Sequence, residues 1–134
     1  MRIVLDTNVL VSGMLNPSGA PGRLLDLILV GHHQVLYDDR ILAEYEEVLS
    51  RPQLAIAADQ IQAVLDYMRL SGERVTAIPQ PERRLPDADD LPFLEVATSG
   101  SAEALVTGNA KHFPAGKRGG VKVMSPDAFL KFAA

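Results

Sequence analysis

Apolar residues fall along this chain in two alternating patterns. Short blocks rich in Val, Ile and Leu occupy residues 2–5, 34–37, 75–78, 104–107 and 121–124, each followed by Asp, Pro, Gly or Ser. Blocks of that length and composition predict strands. Between them, apolar residues recur at helical spacing. Residues 23–30 predict an apolar helix stopped at Gly31, and residues 39–50 a helix capped by Asp38 or Asp39 and ended by Pro52. Ile61, Val64, Leu65 and Met68 mark a helix over 58–70, stopped at Gly72. A further helix is predicted over 90–99. Ser125-Pro126-Asp127 opens the last one, with Ser125 as N-cap and Pro126 at its first position. Residues 16–22 and 79–86 are dense in turn formers and predict loops.

Strands that alternate with helices predict an α/β sandwich around a mostly parallel sheet of about five strands. The 134 residues fit one domain, 1–134, without repeat or linker. With 47% hydrophobic residues and no Trp, the core should be aliphatic. The absence of Cys excludes disulfides, thiolate metal sites and cysteine nucleophiles, and fits a reducing cytoplasm. The best apolar run, residues 24–30, is broken by Asp26 and is far shorter than a membrane helix. A net charge of −4 argues against binding nucleic acid by charge alone. It leaves room for an enzyme whose acidic pocket is neutralised by cations.

In open α/β sheets, sites form beyond the carboxyl ends of strands. Asp6 follows the first predicted strand directly, with Thr7 and Asn8 next and the apolar pair Val9-Leu10 after them. Such an acid either serves chemistry or caps the following segment. On the helix over 39–50, Ile41, Leu42, Tyr45, Val48 and Leu49 form one apolar stripe. Glu44 borders it on one side and Glu46 on the other, and helix geometry alone does not separate them. Asp87, Asp89 and Asp90 crowd the start of the next helix. One acid would satisfy the helix dipole, and three repel one another unless a divalent cation intervenes. The fourth strand ends at Thr107, followed by Gly108 and Asn109, which serve a turn or orient a ligand. Carboxylates brought together at strand ends do not all ionise cheaply without a cation. A donor set of oxygen atoms favours Mg²⁺ or Mn²⁺. Such ions activate water and stabilise the departing oxygen in phosphodiester cleavage.

The segments Ile3-Val-Leu-Asp-Thr-Asn8, Leu42-Ala-Glu-Tyr-Glu-Glu-Val-Leu49, Asp90-Leu-Pro-Phe-Leu-Glu-Val-Ala97 and Leu105-Val-Thr-Gly-Asn109, followed by His112-Phe113, occur in this order. With them the chain resembles the PIN domain, and within it the VapC-like toxins of bacterial toxin–antitoxin pairs. The resemblance covers nearly the whole chain. It implies a three-layer α/β/α sandwich and a Mg²⁺- or Mn²⁺-dependent endoribonuclease acting on single-stranded RNA. It assigns Asp6, Glu44 and Asp90 as catalytic metal ligands, which separates Glu44 from Glu46, and Asp87 as a supplementary ligand. Many relatives carry a fourth aspartate where this chain has Asn109, which bears on the number of ions.

The resemblance also implies an antitoxin partner and often a homodimer. Thr7, Asn8, Thr107 and Asn109 are the expected orienting residues around the ions or the phosphate. Arg23, Arg83, Arg84, Lys111, Lys117 and Arg118 are the expected contacts to the RNA backbone. His112 is expected in an exposed loop, since imidazole suits these hard cations poorly. Glu95 is expected in solvent, opposite Phe93 and Ala97 on a helical wheel. The competing expectation, prompted by Asn109, is a catalytically inactive PIN-like module that binds RNA or protein.

Overall fold

A computed structural model describes all 134 residues. Five strands, β1 (Arg2–Leu5), β2 (Gln34–Tyr37), β3 (Glu73–Arg74), β4 (Ala104–Val106) and β5 (Val123–Met124), form one parallel sheet in the order β3-β2-β1-β4-β5. Six helices accompany it: α1 (Thr7–Leu15), α2 (Ala20–Leu29), α3 (Asp39–Leu49), α4 (Ala58–Ser71), α5 (Leu91–Ser99) and α6 (Pro126–Ala133). Successive residues of a strand face opposite sides of its sheet. Ile3, Val4 and Leu5 are all buried, so both faces of the sheet are covered, as a sandwich of three layers requires. α4 packs on β2 and β3, whereas α5, in the connection that returns from β3 to β4, packs across β1, β2 and β4.

Two elements depart from the sequence-based expectation. α1 was not expected. Its Val9 and Val11 favour strands, and Ser12-Gly13 interrupts the helical pattern. Tertiary burial of Val9 and Leu10, with Asp6 as N-cap, holds it as a helix. β3 lies at Glu73–Arg74 rather than 75–78, with Val75 N–H extending the ladder to Tyr37 O at 2.8 Å. This edge strand is polar because its side chains are paired: Glu73 takes two bonds from Arg2, at 3.1 and 2.7 Å, and Arg74 pairs with Asp39. The helix expected from residue 23 begins at Ala20, within the expected loop, with Pro21 in its first turn. Ser125 caps α6 as expected, accepting from Ala128 N–H at 3.0 Å.

The strand order creates one special place. From β1 the chain moves outward to β2 and β3, then crosses back to the other side of β1 for β4. A crevice opens at such a switch point, past the carboxyl ends of the two diverging strands. Here those are β1 and β4.

Candidate active site

The register of β1 on β4 pairs Leu5 with Val106, so the next residues, Asp6 and Thr107, emerge side by side at the switch point. Thr107 Oγ1 donates to Asp6 Oδ2 at 2.7 Å, and Thr7 N–H donates to Asp6 Oδ1 at 2.8 Å. Both residues are buried. Burial pushes the Asp6 carboxyl up from its usual value, an effect opposed by these two donors.

Glu44 approaches from α3. The Thr7 hydroxyl donates to its Oε2, and the neighbouring Tyr45 hydroxyl donates to Leu5 O, the last carbonyl of β1. Tyr45 is fully buried, its ring 6.3 Å from that of Phe93 on α5. Burial, reinforced by the charge of Asp6, holds its hydroxyl protonated. The turn of α3 that bears Glu44 is thus fastened to the strand that bears Asp6. Glu44 is half-buried and Glu46 exposed, the choice that helix geometry alone left open. Burial is also the main cause that raises the Glu44 carboxyl, followed, beyond the opposing bond from Thr7, by the charges of Asp6, Asp89 and Asp87.

Asp90 ends a one-turn 3₁₀ helix, Ala88–Asp90, immediately before α5. Asp87 caps that turn, accepting from Asp89 N–H at 2.9 Å, and both acids stand at its exposed side. Asp90 itself is buried. Its Oδ2 lies 3.1 Å from His112 Nδ1, but without hydrogen-bond alignment, so this buried oxygen has no donor. Burial first, and the charge of Asp6 second, push the Asp90 carboxyl up to about 6.

Asp6, Glu44, Asp87, Asp89, Asp90 and His112 line one pocket of about 400 Å³, floored by Thr7, Asn8 and Ser12 of α1. Asn8 Oδ1 accepts from Gly108 N–H at 3.0 Å, which leaves its NH₂ group free. Asn109 does not line the pocket. Its side-chain amide meets His112 Nε2 at 3.0 Å and orients that ring. His112 is therefore not a bystander of the loop; it faces Asp90. The signal for it was the spacing of three residues from Asn109, within one 3₁₀ turn.

No three of these acidic and histidine side chains stand close enough to share an ion without moving. The residues nevertheless fit a hard divalent cation. Three oxygen donors of raised pKa border one space, and a buried carboxylate oxygen is unpartnered.

None of the six expected RNA contacts lines this pocket. Arg83, Arg84, Lys117 and Arg118 belong to two loops that hold each other beside it. Arg83 Nε donates to Gln80 Oε1, Lys117 Nζ to Arg84 O at 2.6 Å, and Arg118 Nε to Phe113 O at 2.7 Å. Lys111 is exposed, and Arg23 lies apart from these loops, on α2. Glu95 is a correction. It is buried, not solvated, because Arg40 reaches it from α3 at 2.7 Å and Gln80 N–H donates to it at 2.5 Å.

Arg40 also pairs with Asp38, the N-cap of α3, at 2.7 Å. One ionic chain therefore ties the helix of Glu44 to the helix that follows Asp90. Arg40→Ala should cost about 3 kcal/mol, the lower end for orphaning a buried charge, because half of Arg40 is in water. Urea unfolding measures it, and a loss under about 1 kcal/mol would mean that Gln80 N–H alone satisfies Glu95.

Comparison with known proteins bears on this site. Residues 2–111 match the family model described as the PIN domain. An uncharacterised protein of Methanocaldococcus jannaschii is 30% identical over 112 residues, covering 81% of this chain and 71% of that protein. Among solved structures, that of VapBC2 from Rickettsia felis, bound to a DNA fragment from its promoter, superposes with a TM-score of 0.60. It covers 92% of this chain and 97% of that one at 19% identity. No helix is long and apolar enough to cross a membrane. The family match begins with β1 and takes in every residue of the acidic pocket except His112, and the chain accordingly belongs to the PIN domain family, with a VapC-like fold.

Proposed function

We propose that this protein is a divalent-metal-dependent endoribonuclease, the toxin of a toxin–antitoxin pair. The observation that carries the reading is the meeting of Asp6, Glu44 and Asp90 in one pocket at the switch point of the sheet, with Asp90 Oδ2 buried and unpartnered. In this reading Asp6, Glu44 and Asp90 hold Mg²⁺ or Mn²⁺, and Asp87, at the mouth, supplements them through water. Held by these residues, a divalent cation would supply an acidified water and offset charge at the scissile phosphate.

The rest falls to the chain's own residues. Thr107 and Thr7 fix the two oxygens of Asp6, and Thr7 aligns Glu44. The free NH₂ of Asn8 donates to a phosphate oxygen, and Asn109 sets the ring of His112 against Asp90. Where many relatives have a fourth acid, Asn109 adds no charge, which favours one tightly held ion over two. The likeness to VapBC2 and the family match support a cognate antitoxin that blocks the acidic pocket. A homodimer through the second apolar face of α2, where Leu29 and Val30 are exposed, belongs to the same reading. A cytoplasmic location belongs to the same reading, and a chain without cysteine fits it.

The test is incubation of the pure protein with single-stranded RNA, with and without Mn²⁺, beside an Asp90→Asn control. Cleavage should require the ion and vanish in the control. Cutting that persists in Asp90→Asn would assign the chemistry to another site. Binding of RNA without cleavage, and without any effect of Mn²⁺ on Tm, would make the protein a non-catalytic PIN module.

A further inference from the structure

The acidic pocket does not end at Asn8. Asn8 and Ser12, one turn apart on α1, form a sill, and beyond it lies a second cavity of about 320 Å³. Ala20 and Pro21 of α2 and Pro126 of α6 give it apolar walls, and Gly108 closes it near the sill. A Cβ at Gly108 would stand 3.3 Å from Asn8 Oδ1, crowding the bond that holds the Asn8 amide in place. Asp127 borders this slot and also a third cavity, where Arg23 and Lys131 stand together with Asp26. Lys131 pairs with Asp127 at 3.2 Å, so the carboxylate there is not bare. The Arg23 guanidinium has only a long contact, 3.5 Å, to Ser18 O.

Resting on the nuclease reading, we infer that this slot seats the base of the nucleotide next to the scissile phosphate, and that Arg23 meets a phosphate further along the same strand. The order of features along the groove is that of a polynucleotide: the cation site, a phosphate donor at Asn8, an apolar slot for a base, then a guanidinium without a salt-bridge partner. The slot's volume lies at the small end of pockets for small molecules, which suits one base. Its walls carry no aromatic ring, so a base is retained by burial and shape rather than by stacking. The groove also accounts for Arg23, which stands apart from the other expected RNA contacts.

The test uses a single-stranded RNA carrying 2-aminopurine, bound to the full chain in the Asp90→Asn background, where strands are not cut. Ala20→Phe fills the slot and should weaken binding about tenfold while abolishing the fluorescence change of the seated base. Arg23→Ala, at an exposed position, should lower the slope of log K against log salt by about one. In an otherwise unsubstituted chain, Ala20→Phe should keep the rise in Tm with Mn²⁺, which verifies its fold and its cation site. RNA affinity and fluorescence unchanged in Ala20→Phe, together with an unchanged salt slope in Arg23→Ala, would overturn the assignment. So would unchanged RNA binding with loss of a co-purified polypeptide partner, which would give the slot to a protein. Because binding is read without cleavage, failure of the nuclease reading shows separately, as an inactive wild-type chain.

Discussion

Asp6→Asn is expected to abolish RNA cleavage and the rise in Tm with Mn²⁺, while the metal-free protein stays as stable as the parent or becomes more so. The substitution removes a charge from a buried carboxyl whose ionised form is already disfavoured. The asparagine keeps Oδ1 for Thr7 N–H, and its NH₂ meets the Thr107 hydroxyl, which can reverse its bond and accept. The cap of α1 is kept and a buried charge is gone, which offsets the lost acceptor of the buried Thr107 hydroxyl hydrogen, whereas a ligand of the proposed ion is removed. Cleavage should fall more than ~100-fold, beyond what loss of a supporting partner of a ligand costs. Calorimetry with and without Mn²⁺ and a cleavage assay decide the matter together. A mutant that unfolds, with its folded remainder still cutting, would make Asp6 a helix cap and nothing more.

The second large effect is on pH. Burial and the charge of Asp6 hold the Asp90 carboxyl at about 6, against the usual 3.8. A carboxyl raised in the folded state binds its proton more tightly there than in the unfolded chain. Its contribution to stability is therefore full below the unfolded value and is lost as pH rises through the folded one. For Asp90 that window runs from about 4 to about 6, and the change is about 3 kcal/mol. Asp6 and Glu44, raised for the same cause, add in the same direction. Without divalent ions, Tm should rise by roughly 5 °C as pH is lowered from about 7 to about 5, because only the upper part of the window, about 1.3 kcal/mol, is crossed there. Asp90→Asn should remove most of that slope. Mn²⁺ at neutral pH should raise Tm by stabilising the ionised carboxylates, and its affinity should fall in acid as protons compete for them. A metal-free Tm that is flat or falls over this interval would contradict the burial and crowding from which the shift follows.

How far each part of this picture was legible in the sequence depended on whether local pattern or distant contact decided it. β1, β2, β4 and α3 are short, strongly patterned and bounded by stop signals, and they lie where periodicity put them. α1 was hidden because its residues favour other structures, and only the burial of Val9 and Leu10 outweighs them. β3 was misplaced because its two paired residues are Glu and Arg, acceptable at a sheet edge through partners as far away as Arg2. Asp6 stood out as an acid between apolar blocks. Glu95 did not, since a helical wheel registers its own helix and not the Arg40 that meets it from another.

By itself the amino-acid order determined the alternation of strands and helices, the acid directly past the first strand, and a donor set of oxygens without sulfur. Local periodicity and capping suffice for such features, because each depends on neighbours within one or two turns. Only the tertiary structure decided that β4 lies beside β1, that Asp6 and Thr107 therefore touch, that the Thr7 hydroxyl fastens Glu44 beside Asp6, and that a slot continues the acidic pocket. Periodicity tells which face of an element is apolar but not which element will cover it, and a site assembled from four segments exists only once that covering is settled.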